Sequence, residues 1–544
     1  MAGLETTLGA AIDATAAAHG AEPAFIADGK ATDYATLKRD SDALAAAMLR
    51  DGVCKGDRVG IWLPTSAAWL TIFCAVARIG AIAVPVNTRY QGEEVRHVLT
   101  HAGVSLLFAQ PRMWRTDAFE TLCAISPDLA VAQDVKLTLE ALPDLRRIVM
   151  TEAHPARAVV ALADYAAATS GGPAIFPEVV ESDSLLICFT SGSTGRPKGV
   201  VHSHRVLRHC RRLAEIQGLK PGERSLANWP LHHAGGLFIL LVPTLLSGAA
   251  MVGIAQWTGS DALRLIEAER VTVIGGIPTH YLDMIDDPAM GQRDLSSLRY
   301  CYMGGANVAG DVFDRIVQAL DCGTLPSTYG LTENTVCATF NLPGDPPEWC
   351  SRNIAPVVAD CEVAIVDPAT GESVAAGEPG EIRFRGATVM DGYYNDPDAT
   401  AAAIDADGWL RTGDLGVLHP NGYLQPTGRL KEMLKVGGSN VSPTEVESVL
   451  IEHPAARNAV VVGVPDRRLT EVAFAFVERR PGCDSSEAEI IAFCRPRMAD
   501  YKVPRHVLLL DELPRLSTGK IDRAVLALQA KEAVSQLVTE SGAV

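Results

Sequence analysis

A ten-residue segment from Thr190 to Gly199 has the composition of a phosphate-binding loop. It carries three glycines, four hydroxyl side chains and one lysine, and it follows an apolar run, Leu185 to Phe189, that predicts a buried strand. Glycine lets a backbone approach a ligand closely, and N–H groups, hydroxyls and an ammonium together bind a polyphosphate. The predicted phosphate ligands are Thr190, Ser191, Gly192, Ser193, Thr194, Gly195 and Lys198.

The spacing within this segment excludes the Walker A loop. The pattern G-x-x-x-x-G-K-[ST] does not fit when it is counted from Gly192 or from Gly195, so most P-loop kinases and ATPases are excluded. On this segment alone, a flexible surface loop stays open as an alternative, because loops rich in glycine, serine and threonine are common.

Four further motifs follow in chain order. They are Tyr329 to Glu333, Thr412 to Asp414, Gly428 to Glu432 followed by Gly437 and Gly438, and Pro514 to Lys520. With the phosphate loop they resemble, in order and in spacing, the acyl-adenylate-forming superfamily of acyl-CoA synthetases, peptide-synthetase adenylation domains and firefly-type luciferases. The resemblance covers residues 190 to 520 and is more specific for the superfamily than for a substrate.

The resemblance implies a set of residues that act on ATP. Lys520 would bridge the acyl carboxylate and the α-phosphate, and Thr332 would contact the α-phosphate. Glu333 would bind Mg²⁺ with help from the hydroxyl of Thr190, since magnesium prefers hard oxygen ligands and keeps several waters. Plainer roles exist for two of them: most lysines are exposed, and a carboxylate such as Glu333 is favoured at a helix start.

Two adjacent histidines, His232 and His233, follow Pro230 and Leu231. By resemblance, one of them lies at the mouth of the acyl pocket, and alignment from Pro230 favours His233. A single histidine in a sequence is more often an ordinary core or surface residue.

Other positions would hold the nucleotide and CoA. Asp414 fits an acceptor for the ribose hydroxyls and Arg429 a donor to ribose or phosphate, although an Asp after Thr-Gly also forms turns. Tyr329 can pack against the nucleotide or the acyl group. The remaining positions that the resemblance implies are Gly304, Gly305 and Ala306 at the adenine, Gly330 in the ATP motif, Lys431 at a hinge, and Gly437 and Gly438 along a pantetheine tunnel.

These roles define a reaction in two steps. A carboxylate does not react with a thiol because its leaving group would be an oxide, and attaching AMP provides a phosphate leaving group instead. Magnesium and fixed cations would neutralise the charge of the transition state. The sequence is therefore interpreted as an AMP-forming carboxylic acid:CoA ligase that uses ATP, Mg²⁺ and coenzyme A.

Two alternatives remain open. One is an adenylation enzyme that loads a carrier protein, although no carrier domain with its modified serine follows residue 544. The other is a non-catalytic acyl or nucleotide binder with the same fold, although every catalytic position of the motifs is filled.

The acyl pocket is expected to use the segments His233 to Phe238, Gly275 to Thr279, Gly304 to Ala306 and Tyr329 to Cys337. None of them contains an arginine or lysine that could pair a second carboxylate. The expected substrate is therefore a fatty or aromatic monocarboxylate rather than malonate or succinate. Four glycines are expected to leave space for it: Gly235, Gly236, Gly275 and Gly276.

Composition limits the expected partners and cellular location of the protein. The net charge of −17 argues against nucleic-acid partners and against tight attraction to anionic membranes. The twelve cysteines form no CxxC pair, and no signal peptide is evident at Met1 to Asp13, so we expect a reducing, cytoplasmic location. The apolar run Leu237 to Leu246 is too short for a bilayer and predicts a buried helix. A homodimer is possible.

Strand-like and helix-like patterns alternate along the first 360 residues, which predicts an α/β fold with parallel strands. Residues 361 to 425 predict a small β-rich subdomain. The expected domains are a large N-terminal ATP- and acid-binding domain (1–428), a hinge region (429–438) and a small, mobile α+β domain carrying Lys520 (439–544).

Several local signals are specific enough to be checked. Ser66 predicts the N-cap of a helix to Arg78, and Ser442 to Glu445 predicts a capping box with proline at the first helical position. A strand is expected over Val271 to Ile274. Two positions depart from the family pattern: Val308, in place of a turn-forming pattern, and Thr470, in place of a common glycine.

Overall fold

The protein has an α/β architecture in which parallel sheets carry helices, as the sequence predicted. The computed structural model describes residues 6–114, 116–167, 175–190, 197–254, 256–304, 310–358, 360–436, 439–466, 468–516 and 520–541.

The strands of the first half are Pro23–Ala27 (β1), Lys30–Asp33 (β2), Arg58–Trp62 (β3), Ile82–Pro85 (β4), Val104–Ala109 (β5), Arg112–Met113 (β6), Thr116–Asp117 (β7), Arg147–Met150 (β8), Val159–Ala161 (β9), Ser184–Thr190 (β10), Lys198–Ser203 (β11), Arg224–Ala227 (β12), Ala250–Gly253 (β13) and Val273–Gly276 (β14). Those of the second half are Tyr300–Gly304 (β15), Ser327–Tyr329 (β16), Thr339–Phe340 (β17), Ala355–Pro356 (β18), Cys361–Val366 (β19), Pro379–Gly386 (β20), Gly392–Tyr393 (β21), Leu410–Leu418 (β22), Tyr423–Arg429 (β23), Leu434–Val436 (β24), Ser439–Val441 (β25), Ala456–Asp466 (β26), Thr470–Arg479 (β27) and His506–Leu510 (β28).

The α-helices are Leu8–His19 (α1), Tyr34–Arg50 (α2), Ala67–Arg78 (α3), Gly92–Ala102 (α4), Ala118–Ile125 (α5), Leu162–Ala167 (α6), Val206–Gln217 (α7), Val242–Ser247 (α8), Gly259–Ala268 (α9), Pro278–Ile285 (α10), Gly310–Leu320 (α11), Pro347–Ser351 (α12), Pro397–Ala403 (α13), Pro443–Ile451 (α14), Glu487–Cys494 (α15) and Arg523–Ser541 (α16). Short 3-10 turns include Thr332–Asn334 and Leu430–Glu432, and a π-helix runs over Gly236–Leu241.

Two large sheets form the body of the protein. In the described chain, one has the order β17-β16-β15-β14-β12-β13-β1-β2 and the other the order β21-β11-β10-β4-β3-β5-β8-β9. The inner strands of both are parallel, from β16 to β1 and from β10 to β9, and the outer strands are antiparallel. Parallel strands covered on both faces are nearly continuously apolar, which matches the fully buried β4 and β5.

Two smaller sheets follow. An antiparallel sheet of order β18-β23-β22-β20-β19 is the β-rich part that the sequence predicted. Beyond it, β25-β24-β27-β26 form a sheet in which β28 adds parallel to β27. Helix α16 packs one side on this last sheet, since Leu526 and Ala530 are buried there.

The local predictions have mixed outcomes. Ser66 caps α3, and its hydroxyl accepts a hydrogen bond from the N–H of Trp69 at 3.3 Å. The capping box at Ser442 is wrong: proline does start α14, but the Ser442 hydroxyl donates to the carbonyl of Thr427 at 2.9 Å and makes no cap. A tertiary carbonyl, which accepts from the hydroxyl, has taken the place of the local N–H that would donate to it in a cap.

Two further boundaries differ from expectation. The strand expected over Val271 to Ile274 runs over Val273–Gly276, because the N–H of Val271 bonds the carbonyl of Ile266 and closes α9. The apolar run near Leu237 is helical and buried as predicted, but its first part is a π-helix. No described helix combines the length and the apolar character that a bilayer crossing needs.

Thr470, which stands where the family pattern has glycine, adopts a φ of 72°. This left-handed backbone is an outlier for a β-branched residue, because the branched side chain crowds its own backbone there. The other position that departs from the family pattern, Val308, lies outside the described residues.

Candidate active site

Several predicted nucleotide ligands lie at the carboxyl ends of parallel strands. Thr190 ends β10, Gly304 ends β15 and Tyr329 ends β16. Ligands of open α/β sheets bind at this edge, because the loops that follow the strands meet there. The strand order of one large sheet therefore places the ends of β15 and β16 side by side, while Thr190 ends a strand of the other large sheet.

The described ends of the phosphate loop face each other. Thr190 and Lys198 are paired residues of the antiparallel strands β10 and β11. The predicted ligands between them, Ser191, Gly192, Ser193, Thr194 and Gly195, lie outside the described residues, as do Gly305, Ala306, Gly437 and Gly438.

Asp414 is the centre of a hydrogen-bonded group. Its carboxylate accepts the hydroxyl of Tyr329 at 2.7 Å and lies 3.2 Å from Nε of Arg429, its register partner on β23. Burial raises the pKa of Asp414, while Arg429 and Tyr329 lower it. The hydroxyl of Tyr329 therefore orients Asp414, and a carboxylate held beside a cation and a phenol is suited to bind a diol.

Glu333 lies on the 3-10 turn that follows β16. Its Oε1 accepts the hydroxyl of Tyr393 at 2.8 Å, and the ammonium of Lys198 lies 4.7 Å from the centre of the Tyr393 ring. The contacts Thr190–Lys198–Tyr393–Glu333 place the two proposed metal ligands in one region. Carboxylate and hydroxyl oxygens are the hard donors that Mg²⁺ prefers, so these residues fit the ion.

Lys520 faces the same region from the C-terminal part of the chain. Its side chain keeps access to solvent, yet the walls around it remove enough water to lower its pKa; Arg429 lowers the pKa further and Asp414 raises it. Lys520 also lowers the pKa of His233. One ammonium is thus close to the proposed ribose ligand and to the histidine of the acyl pocket.

The two histidines are both neutral at physiological pH. Burial lowers the pKa of His233 to about 4, with Lys520 and Arg89 adding to the effect, and it lowers the pKa of His232 well below its usual value. Lys520 acts on His233 and not on His232, which favours His233 as the pocket histidine. Arg89 is an exposed cation in this region that the sequence did not identify.

The glycines that were expected to leave space for the acyl group do not do so. A methyl group added at Gly235 would lie 2.7 Å from Cε3 of Trp229, and one added at Gly275 would lie 2.1 Å from the Tyr302 ring. Gly276 is covered by Tyr281, and the position at Gly236 meets the carbonyl of Pro230. These glycines make room for the protein's own aromatic rings and backbone.

Gly330 and Lys431 occupy different surroundings. A methyl group at Gly330 would lie 2.5 Å from the carbonyl carbon of Val336, so only glycine fits beside that backbone. Lys431 is exposed on the 3-10 turn Leu430–Glu432, between β23 and β24, at the point where the hinge was predicted.

Arginines hold the C-terminal part against α10. Arg515, in the lysine motif, donates to the hydroxyl of Thr279 and to Glu478, each at 3.4 Å. Arg457 lies 3.2 Å from the other oxygen of Glu478 and 4.0 Å from Asp286. Glu478 is buried, so it fixes both guanidinium groups and thereby the loop that carries Lys520.

Comparison with known proteins defines the class. Residues 12–394 match the family of AMP-binding enzymes, and residues 445–520 match the AMP-binding enzyme C-terminal domain. The chain therefore belongs to the AMP-binding enzyme family. Within that family it is an acyl-CoA synthetase, an acid–thiol ligase that forms AMP, for which ATP and CoA are the fitting substrates.

Two curated relatives illustrate the range of acids. A 3-[(3aS,4S,7aS)-7a-methyl-1,5-dioxo-octahydro-1H-inden-4-yl]propanoyl:CoA ligase of Mycobacterium tuberculosis is 37% identical over 506 residues, with 92% of this chain and 95% of the relative covered. The mitochondrial medium-chain acyl-CoA ligase ACSF2 of Mus musculus is 31% identical, with 97% and 88% covered.

Solved structures agree on the fold. The anthranilate CoA ligase AuaEII in complex with anthranoyl-AMP has a TM-score of 0.85 at 27% identity and covers 97% of this chain and 98% of its own. ATP-bound MatB from Rhodopseudomonas palustris has a TM-score of 0.85 at 26% identity, with 97% and 100% covered.

Proposed function

We propose that this enzyme joins a medium-sized, apolar monocarboxylic acid to CoA through an acyl-adenylate. The observation that carries the proposal is that Lys520 acts electrostatically with Arg429, Asp414 and His233, while Asp414 also pairs with Arg429. Glu333 and Thr190 are linked to this group of residues through Tyr393 and Lys198. Lys520 is a cation between the proposed diol acceptor, Asp414, and the neutral His233. It is therefore positioned to assist the attack of a carboxylate on the α-phosphorus.

The roles follow from the contacts. Asp414, oriented by Tyr329, binds the ribose hydroxyls, and Arg429 donates to ribose or phosphate. Lys520 neutralises the charge that develops at the α-phosphate, where preorganised charge is most effective. Glu333 and Thr190 would hold Mg²⁺, which would supply positive charge against the phosphates.

A second orientation of the C-terminal part would serve the second step. We place the division at a large domain (1–428), a hinge (429–438) and a small domain (439–544), with rotation about Lys431. After rotation, Lys520 leaves the cleft, and Gly437 and Gly438 line the path of the pantetheine thiol. A cytoplasmic location and a homodimer remain predictions from the sequence.

Pyrophosphate exchange tests the order of the two steps. We expect the enzyme to exchange labelled pyrophosphate into ATP when acid and Mg²⁺ are present and CoA is absent, because the adenylate forms before the thiol is needed. Exchange that strictly requires CoA would contradict the mechanism. Transfer from the adenylate to free CoA, but not to an isolated carrier protein, would exclude the carrier-loading alternative.

The substrate proposal rests on the aromatic lining. Trp229 is half-buried against Gly235, and Cη2 of its ring lies 3.7 Å from the position of a methyl group at Gly304, at the strand end beside the proposed adenine site. Behind it Tyr302 is fully buried. Trp229 therefore forms an apolar wall for the acyl group, which suits a ring or a chain of moderate length, as the names of the relatives also suggest.

Replacing Trp229 by alanine is expected to shift the preference to longer acids. Room for two more methylene groups is worth about 1.6 kcal/mol at ~0.8 kcal/mol each, which is on the order of a tenfold gain in relative kcat/KM. The measurement is thioester formation across straight-chain acids and cinnamate. Trp409→Ala, which removes a ring stacked by Arg385 on the β-rich sheet, is the control, and an unchanged profile in Trp229→Ala would refute the wall.

A further inference from the structure

His202, on β11, forms a long-range hydrogen bond to the turn that carries Thr332 and Glu333. Its Nε2 lies 2.7 Å from the backbone carbonyl oxygen of Thr332, which can only accept, so Nε2 carries the proton and donates. The side chain is 1% exposed, and its ring meets Phe238 edge to face with centroids 5.0 Å apart.

Packing alone does not explain an imidazole at this position. The other ring nitrogen, Nδ1, is buried and has no hydrogen-bond partner among the described residues. A buried acceptor without a partner costs free energy, whereas an apolar side chain of similar size would fill the space without that cost. The bond from Nε2 to Thr332 is the interaction that an apolar residue could not make.

The turn that receives this bond is strained. Thr332–Asn334 form a 3-10 turn, and the next two residues, Thr335 and Val336, have φ values of 54° and 58°. Left-handed backbone at β-branched residues costs of order 1–3 kcal/mol each and persists only where surrounding contacts over-determine it.

Contacts from outside hold this strained turn: Asn334 Nδ2 donates to the sulfur of Cys361 at 4.0 Å, and three more hydrogen bonds act on Thr332 and Glu333. His202 donates to the carbonyl of Thr332, the N–H of Met390 donates to the carbonyl of Glu333 at 2.8 Å, and the hydroxyl of Tyr393 donates to the Glu333 carboxylate at 2.8 Å. Of these hydrogen bonds, only that of His202 acts on Thr332, the residue assigned to the α-phosphate. Without it, Thr332 could relax while Glu333 stays anchored.

We propose that His202 is a positioning residue for adenylation: its N–H fixes the backbone of Thr332, so that the Thr332 hydroxyl meets the α-phosphate in register with the Glu333 carboxylate, which its own contacts anchor. The inference rests on the proposed function, because it takes the roles of Thr332 and Glu333 from there. It adds a residue that does not itself touch ATP.

The test begins with His202→Leu. We expect kcat of pyrophosphate exchange to fall about 10- to 100-fold, since a displacement of about 1 Å in a positioned group costs up to this much. The KM for the acid should change less than about threefold, and thioester formation from presynthesised acyl-AMP should be affected far less than exchange. The rise in Tm on adding Mg²⁺ and ATP should shrink, which reports binding without catalysis.

Two further variants make the result specific. His202→Gln keeps an N–H donor at similar reach and should recover a large part of the exchange rate. His204→Leu is the matched control, because His204 is also buried, directly after β11, but accepts the N–H of Leu8 at 3.1 Å and makes no bond to the turn at Thr332. Its exchange rate and its Tm rise with Mg²⁺ and ATP should stay within about twofold of the wild type, as for substitutions remote from a site.

The possible outcomes distinguish a positioning role of His202 from a general effect on folding. Wild-type exchange in His202→Leu, or equal losses in His202→Leu and His204→Leu, would overturn the positioning role and leave only a general effect on folding. Failure of the glutamine variant to recover any exchange, with its Tm intact, would also count against the N–H bond. If the wild-type enzyme itself shows no exchange without CoA, the proposed function fails instead.

Discussion

Lys520→Ala should lose adenylation by about 100- to 1,000-fold, because removing one preorganised donor from a transition state typically costs this much. The structure supports a large effect. Burial and Arg429 lower the pKa of Lys520 and Asp414 raises it, so its ammonium is placed beside the two proposed ribose ligands with little water around it. The measurement is the rate of acid-dependent pyrophosphate exchange.

The same variant should leave the second step nearly intact. In the proposed mechanism Lys520 leaves the site before the thiol attacks, so thioester formation from presynthesised acyl-AMP should stay within a few-fold of the wild type. Lys502→Ala is the control, since this lysine of the C-terminal part pairs with Glu445 at 2.5 Å and does not face the cleft. Equal damage to both steps would contradict the rotation.

Much of the candidate site could be predicted because its residues sit at places that sequence marks well. Asp414 and Arg429 lie on neighbouring antiparallel strands joined by a short turn, so their motifs specify their contact almost locally. Thr190 ends a strand that the apolar run Leu185 to Phe189 already indicated, and the parallel neighbours β15 and β16 bring Gly304 and Tyr329 to one sheet edge. Motif and topology therefore agree.

The residues that sequence missed depend on long-range pairing. Tyr393 reaches Glu333 because β21 adds to the edge of β11, and two paired residues give no periodic signal. Arg89 follows β4, a strand of the large sheet that also contains β10, and its charge acts on His233. His202 occupies an ordinary strand position, and only the fold shows that Thr332 lies opposite its ring.

The wrong predictions share a physical cause. Glycine was interpreted as free space, but a residue without a side chain also allows a neighbouring ring to lie against the backbone, as Tyr302 does at Gly275. The motif at Ser442 has the sequence of a capping box, but a tertiary carbonyl at Thr427 took its hydroxyl. In both cases, a partner distant in sequence replaced the local one.

Lys431→Pro should uncouple the two half-reactions. A hinge must change φ and ψ between two orientations, whereas proline fixes φ near −65° and removes an N–H. Proline would destabilise the orientation that it does not fit by about 3 kcal/mol, which lowers the population of that orientation on the order of 100-fold. Lys431 lies on a 3-10 turn in the orientation seen here, and a φ near −65° fits such a turn, so adenylation should persist while transfer to CoA falls.

The orientation seen here also has its own support, because Arg515 and Arg457 contact the two ends of α10 through Thr279 and the C-cap Asp286. A trapped hinge should therefore keep this interface closed. Exchange and thioester formation from acyl-AMP are measured separately, with Lys431→Ala as the control that removes the ammonium but leaves φ free. The reverse pattern would mean that proline fits the other orientation, which still requires a hinge at this residue. A folded Lys431→Pro enzyme that runs both half-reactions at wild-type rates would show that the chain does not rotate here.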